Sequence, residues 1–197
     1  MNMKKVILCL SVLAMAYSAG AQQRNSPKNN IKFYPLSTFA YGGVGLGIGY
    51  ERLLDNEGKF GLNLPVYLGL ANADNSSTMD VRTNTTFMFS PGLKFYPGGQ
   101  RRVTYGIGAS LFGSWGQDDN YFELSNGSRM LVTENVIRAG MLVNNSVQFN
   151  IGQKFNLGLD LGLGPSYINQ FNRSDGFDYS DGIRFMANFG FHLGFRF

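Results

Sequence analysis

Arg184-Phe185-Met186-Ala187-Asn188-Phe189-Gly190-Phe191-His192-Leu193-Gly194-Phe195-Arg196-Phe197 is the stretch that decides the fold. Every second residue from Phe185 to Phe197 is apolar, and five of those seven are Phe. The residues between them are small or polar. A period of two is the signature of a β-strand with two chemically different faces. A wall of Phe backed by Gly, Asn and His suits a strand with lipid on one side and a polar interior on the other.

The same alternation recurs upstream. Phe155, Leu157, Leu159, Leu161 and Leu163 share a face, as do Ile137, Ala139, Met141 and Val143, continued by Val147, Phe149 and Ile151. Val103 to Leu111, Phe87 to Phe95, Phe60 to Leu70 and Val44 to Tyr50 repeat it, which makes seven strands. Residues 31–37 are the eighth candidate, with poor alternation and an interruption at Pro35, a residue that cannot donate to a ladder. Connection lengths alternate as well. Short turns are expected at 54–58, 97–101 and 152–154, and long polar loops at 71–82, 116–135 and 169–182. Short turns on the periplasmic side and long loops outside are the habit of bacterial outer-membrane barrels, whose strand number is even. Both ends of the barrel then lie on the periplasmic side, and 31–37 is required as the first strand, with one short outer connection near 38–43.

The N-terminus fits export. Lys4 and Lys5 precede an apolar run from Val6 to Ala16 and then Ala19-Gly20-Ala21, the three parts of a secretory signal peptide cleaved near Ala21/Gln22. The run is too short to span a bilayer as a helix. Cys9 sits inside it with no small residue before it, so lipidation is not expected. The expected mature chain has no cysteine and no disulfide chemistry. Of 17 Lys and Arg, the signal removes two, leaving 15 against 13 acidic residues, a balance that argues against a nucleic-acid surface.

A soluble barrel alternates too, but with its apolar face inward. Here the other face is Gly, Ser, Asn and Thr, charged residues are only 15% of the chain, and aromatics gather near strand ends. Phe60, Phe95, Tyr96, Tyr105, Phe149, Phe155, Phe195 and Phe197 fall toward one rim, and Tyr41, Tyr67, Phe87, Trp115, Tyr167 and Phe185 toward the other, as interfacial girdles would. The expectation is an all-β protein: a signal peptide at 1–21, a periplasmic N-terminal segment at 22–30, and an eight-stranded antiparallel up-and-down transmembrane β-barrel at 31–197 in a Gram-negative outer membrane.

The signal end at Ala21-Gln22, the Gly-rich hairpin through Gly49-Tyr50-Glu51-Arg52, and Phe197 with alternate aromatics before it carry a resemblance. The chain resembles the small OmpA/OmpX-like outer-membrane β-barrels, in particular the stand-alone "outer membrane protein beta-barrel domain" proteins common in Bacteroidota. The resemblance covers the mature chain. It implies that the barrel-assembly machinery reads Phe189, Phe191, Leu193, Phe195 and Phe197 as an assembly signal. It implies no peptidoglycan-binding domain.

Few ionisable residues face inward by parity: Glu51, Lys94, Arg102, Arg138, Asp160, Arg184, His192 and Arg196. Unpaired buried charge is costly, so a structural network that plugs the lumen is expected from Glu51, Lys94, Arg138, Asp160, His192 and Arg196. The inward Gly run at 43, 45, 47 and 49 either receives bulky residues such as Met88, Phe112 or Met186, or leaves a cavity. His192 has only Gly190 and Gly194 beside it on its face, with no Ser or Thr to activate, and no enzyme is expected. Asp175, Asp178 and Asp181 lack the alternate spacing and distal Glu of a calcium loop. Together with Asp118, Asp119 and Glu123 they read as solvated carboxylates, or as a divalent bridge to lipopolysaccharide or a partner contact. No catalytic residue, metal ligand or cofactor is expected. The expected role is structural, adhesive or as a subunit of an outer-membrane protein complex, acting through the outer loops. The alternative is a narrow channel or transporter for small or hydrophobic solutes. Expected partners are outer-membrane lipid and lipopolysaccharide, the assembly machinery, and a protein of such a complex.

Overall fold

The computed structural model describes residues 27–72, 83–123, 129–174, 176 and 178–197. The expected signal segment at 1–21 lies outside these, as do residues 73–82 of the first expected long loop. The described residues form β1 (Asn29–Phe39), β2 (Gly43–Leu53), β3 (Phe60–Asn72), β4 (Thr83–Phe89), β5 (Gly92–Phe95), β6 (Val103–Glu123), β7 (Arg129–Ile151), β8 (Phe155–Arg173), β9 (Asp178–Ser180) and β10 (Arg184–Arg196). All pairings are antiparallel. They run β10-β1-β2-β3-β4-β6-β7-β8-β9, with β5 between β3 and β6, and β10 also against β8.

The architecture corrects the expected eight-stranded barrel. One sheet of ten strands curls so that its hydrogen bonds form a partial ring. Two local causes account for the difference. The segment expected as one strand over 87–95 is broken at Ser90-Pro91 into β4 and β5, because Pro91 has no N–H to give. Ser90 N instead reaches Pro65 O at 3.1 Å, and Pro91 O accepts from Leu111 N at 3.0 Å. The second cause is β9, which pairs Gln170–Asn172 with Asp178–Ser180 inside the expected loop 169–182.

The expected loop 116–135 is likewise corrected. There β6 and β7 continue as a ladder from Gly116↔Val136 out to Glu123↔Arg129. Beyond Gly116 this ladder has left β4 behind, since Thr86↔Gly116 is the last β4–β6 pair.

The first strand explains its own poor pattern. Ile31, Phe33, Leu36 and Thr38 face out, while Lys32, Tyr34, Ser37 and Phe39 face in. Parity flips between Phe33 and Leu36, where the registers against β10 and β2 shift at a bulge. Pro35 sits in that bulge, where no ladder bond is asked of it.

Asn29 and Phe197 exchange backbone hydrogen bonds of 3.1 and 3.0 Å, which places β1's start and β10's finish at one end of the sheet. The turns 54–59, 96–102 and 152–154 share this terminal end. The β1–β2 turn at 40–42 lies at the opposite, far end.

Burial is inverted relative to a water-soluble protein. Among the described residues, 22 polar or charged residues are buried against 12 apolar ones, while 38 large apolar residues are exposed. The outward set follows the sequence alternation: Leu46 and Ile48 on β2, Leu159 and Leu161 on β8, Phe189, Leu193 and Phe195 on β10. From Phe185 to Phe197, at about 3.3 Å per residue and a tilt of roughly 40°, the outward face of β10 rises ~30 Å, enough for an apolar band about 25 Å tall. Ring pairs flank its edges, Phe60–Phe95 and Phe155–Phe195 toward the terminal end and Phe87–Trp115 toward the far end. Tyr67 and Tyr96, expected at the rims, point inward instead and are buried.

Candidate functional site in the sheet interior

The interior has three storeys. Near the terminal end lie the charged residues, in two chains rather than one network. Lys32 Nζ sits 2.7 Å from Glu51 Oε2, both buried. The other oxygen, Glu51 Oε1, accepts from the Tyr96 hydroxyl. Gln148 Nε2 donates to that hydroxyl at 3.4 Å, and Arg196 Nη2 donates to Gln148 Oε1 at 3.4 Å and to Gln100 Oε1 at 2.7 Å.

The second chain centres on Asp160. Lys94 Nζ lies 2.5 Å from Oδ1, while Oδ2 accepts from Tyr34 at 3.2 Å and lies 2.8 Å from His192 Nδ1. Asp160 therefore meets one cation and two further polar groups from three other strands. Opposite charges held this way offset the cost of removing each from water.

Small residues make room for these groups. A Cβ on Gly158 would lie 2.3 Å from His192 Cε1, and one on Gly47 would lie 2.7 Å from Tyr67 Cδ1. The Gly run of β2 thus receives Tyr67 and, at Gly49, Tyr34.

The middle storey is apolar. Tyr34, Phe39, Tyr67, Met88, Phe112, Leu142 and Met186 form one buried cluster across the interior. Met88, Phe112 and Met186, one of the two expectations for the space beside the β2 glycines, stand in this cluster, while the glycines themselves are met by Tyr67 and Tyr34. Tyr34 bridges the storeys, packing edge-on against Tyr67 at 5.1 Å and His192 at 5.4 Å between ring centroids. A small polar cavity touches the charged storey, lined by Asn63, Tyr67, Ser90, Lys94, Asp160 and Asn188 among others.

At the far end, Arg138 stands apart from the other five expected site residues. It is 5% exposed, and its guanidinium lies 4.7 Å from the Tyr41 ring centroid and 5.5 Å from that of Phe171. Arg184 approaches the same two rings at 5.6 and 5.4 Å and pairs with Asp181.

All six expected charged residues face the interior and are buried. Arg102, also expected inward, is exposed, because it precedes β6 and obeys no strand parity. Lys32 is an inward charge that the sequence reading does not include, because the alternation of 31–37 is poor and assigns no face to its residues. The Lys at position 32, two before Tyr34 and flanked by Ile31 and Phe33, was the available signal. Of the acidic loop residues, Asp178 is exposed and Asp181 is held by Arg184. Asp118 accepts from Asn84 Nδ2 at 2.5 Å. Asp175 and the side chains of Asp119 and Glu123 lie outside the described residues. Among the described residues, no three His, Cys, Asp or Glu gather as metal ligands would. His192 Nδ1 is taken by Asp160, and among the described residues no serine, threonine or cysteine is bonded to the enclosed ring.

No family model matches the chain, and no curated protein matches it. Solved structures do. A major outer membrane protein from Thermus thermophilus superposes with a TM-score of 0.60 at 12% identity, over 87% of this chain and 100% of that one. The N-terminal β-barrel domain of Pseudomonas aeruginosa OprF reaches 0.44 at 14% identity, over 88% of this chain and 100% of that one. Acinetobacter baumannii CarO reaches 0.39 at 12%, over 87% and 98%. The Thermus likeness establishes a shared strand arrangement. The OmpA/OmpX-like family is not assigned by any family match.

Proposed function

We propose that this chain is an outer-membrane protein that crosses the bilayer with its curled sheet and serves as a structural, adhesive or complex-subunit element, not as an enzyme. The inversion of burial carries this reading: 38 large apolar residues look outward while the interior is predominantly polar. Water would penalise such an exterior, and lipid would not. The terminal end is then periplasmic and the far end faces outside, where the β6–β7 ladder and β8–β9 project as the surface for partners and lipopolysaccharide. The resemblance of the sequence to small outer-membrane barrels supports export through the signal segment and handling of Phe189, Phe191, Leu193, Phe195 and Phe197 by the assembly machinery. The charged chains act as a plug below the apolar cluster. His192 supports the non-enzymatic reading, since it is spent on Asp160 with no nucleophile beside it.

The test is fractionation of the full chain, followed by gel migration with and without boiling. An outer-membrane fraction with a heat-dependent shift is expected, and a water-soluble, detergent-independent monomer would overturn the reading. A second reading is a narrow channel, supported by the polar cavity beside Lys94 and Asp160. It requires the apolar cluster to part, and stable conductance in planar bilayers would favour it over the plug.

A further inference from the structure

We propose that the cleft at the far end, where Arg138 and Arg184 meet Tyr41, is a binding site for a phosphate group. This goes beyond an anchoring role, because it gives the outward mouth a ligand of its own. Arg138 carries the argument. It is 5% exposed, and its Nε is buried with no hydrogen-bond partner. Two aromatic faces flank it, which attract a cation but accept no N–H of a guanidinium in the way an oxyanion does, and the nearby Asp118 carboxylate forms no ion pair with it. A buried guanidinium without an acceptor is costly, and such a cost is tolerated where a ligand completes the group. Among the described residues, the buried cations Lys94 and Arg196 do have polar partners: Lys94 has Asp160, and Arg196 has Gln100 and Gln148.

The surroundings point to phosphate. Arg184 brings a second guanidinium to the same two rings, and among the described residues it pairs with Asp181 alone. Two guanidiniums offer two donor forks, and a phosphate, with more acceptor oxygens and more negative charge than a carboxylate, serves both better. A carboxylate is already present: Asp118 lines the cleft beside Arg138 with Tyr41, Asn84, Thr86 and Gln117, while Arg184 reaches it from across the Tyr41 ring. The Asp118 carboxylate is bonded to Asn84 Nδ2 at 2.5 Å and makes no ion pair with Arg138. The cleft is thus built around an acceptor position that its own carboxylate does not take.

The phosphate has two sources: free phosphate outside the cell, or a phosphate of lipopolysaccharide reaching over the rim. The experiment uses the full chain in a non-ionic, phosphate-free detergent, titrated calorimetrically with inorganic phosphate. One saturable site is expected. Arg138→Gln should weaken it roughly tenfold or more, the loss typical of removing a charged partner from a desolvated contact. Arg184→Gln should weaken it too, and Asp118→Asn should tighten it by removing a like charge. Arg138→Lys keeps the charge and should retain weakened binding, which separates loss of the site from loss of fold. Boiled and unboiled migration identical to wild type certifies each variant. No saturable phosphate binding, equal binding by Arg138→Gln, or acetate binding as well as phosphate would each overturn the proposal. A second arm adds lipopolysaccharide. Competition with inorganic phosphate supports the lipid source, and a lack of it supports the soluble one.

Discussion

Replacing Asp160 by Asn is the sharpest perturbation the interior offers. The side chain keeps its shape but loses its charge, which stands 2.5 Å from Lys94 Nζ and 2.8 Å from His192 Nδ1. The amide can still accept from the Tyr34 hydroxyl, now 3.2 Å away. What it cannot do is neutralise Lys94, which is 4% exposed and has, among the described residues, no other acidic partner within ion-pair distance. Removing one partner of a buried ion pair typically costs ~3–5 kcal/mol. The retained Tyr34 bond and the small polar cavity beside Lys94 place this case at about 3 kcal/mol. The assay is urea-induced unfolding of the protein refolded in lipid vesicles, followed by the folded and unfolded bands on unboiled gels. A second substitution, Lys94→Gln, removes the stranded ammonium. The double variant should then be more stable than the two single losses added together by about 2 kcal/mol. A cost for Asp160→Asn below about 1 kcal/mol, or strict additivity in the double variant, would refute the claim that this pair holds the interior together.

Three further outcomes follow from other parts of the structure. Gly158→Ala places a Cβ against His192 Cε1 and should lower stability by ~1–3 kcal/mol in the same assay, as overpacking does, and an unchanged midpoint would contradict the close approach. Asp55 lies in the turn between β2 and β3; burial would raise its carboxyl, but the N–H groups of Phe60 and Lys59 outweigh that and hold it below the ordinary carboxylate value. Its contribution is therefore present above the usual Asp range near pH ~4 and lost as pH falls through the depressed folded value, so Asp55→Ala should unfold with a flatter pH dependence there than wild type. Trp115 is the single tryptophan and faces outward against Phe87, so brominated lipids should quench its emission and aqueous iodide should not; the reverse would place that face in water.

How much of this was legible depended on where the environment is two-sided. Period-two alternation appears only where one face meets an apolar medium and the other a polar interior, which is why Leu157–Leu163 and Phe185–Phe197 were read correctly by parity. The far parts of β6 and β7 carry no such contrast in sequence, and that segment therefore reads as a loop although residues 116–123 pair with 129–136 as a ladder. A bulge defeats parity in another way: it hid Lys32 by shifting the inward set from even positions to odd ones. Strand count failed at Ser90-Pro91, where a proline divides one apolar run into two strands without changing its outward face. Glu51, Lys94, Arg138, Asp160, His192 and Arg196 were legible because an inward position is a matter of parity, whereas Lys32, Glu134 and Arg102 were not. The partners of the charged residues were not legible either, since which strands face one another across the interior depends on curvature that no local pattern records.

The outward face of β10 tests the central claim most directly. A nitroxide placed by cysteine substitution at each position from Phe185 to Arg196 in the chain reconstituted in bilayers reports collisions with oxygen, which concentrates in lipid, and with a water-soluble nickel complex. High oxygen accessibility at Phe185, Phe189, Leu193 and Phe195, alternating with low values at Met186, Asn188, Gly190, His192 and Gly194, is the expected pattern. Nickel-complex accessibility on the Phe positions, or no alternation along the strand, would contradict a sheet that turns its apolar face to lipid.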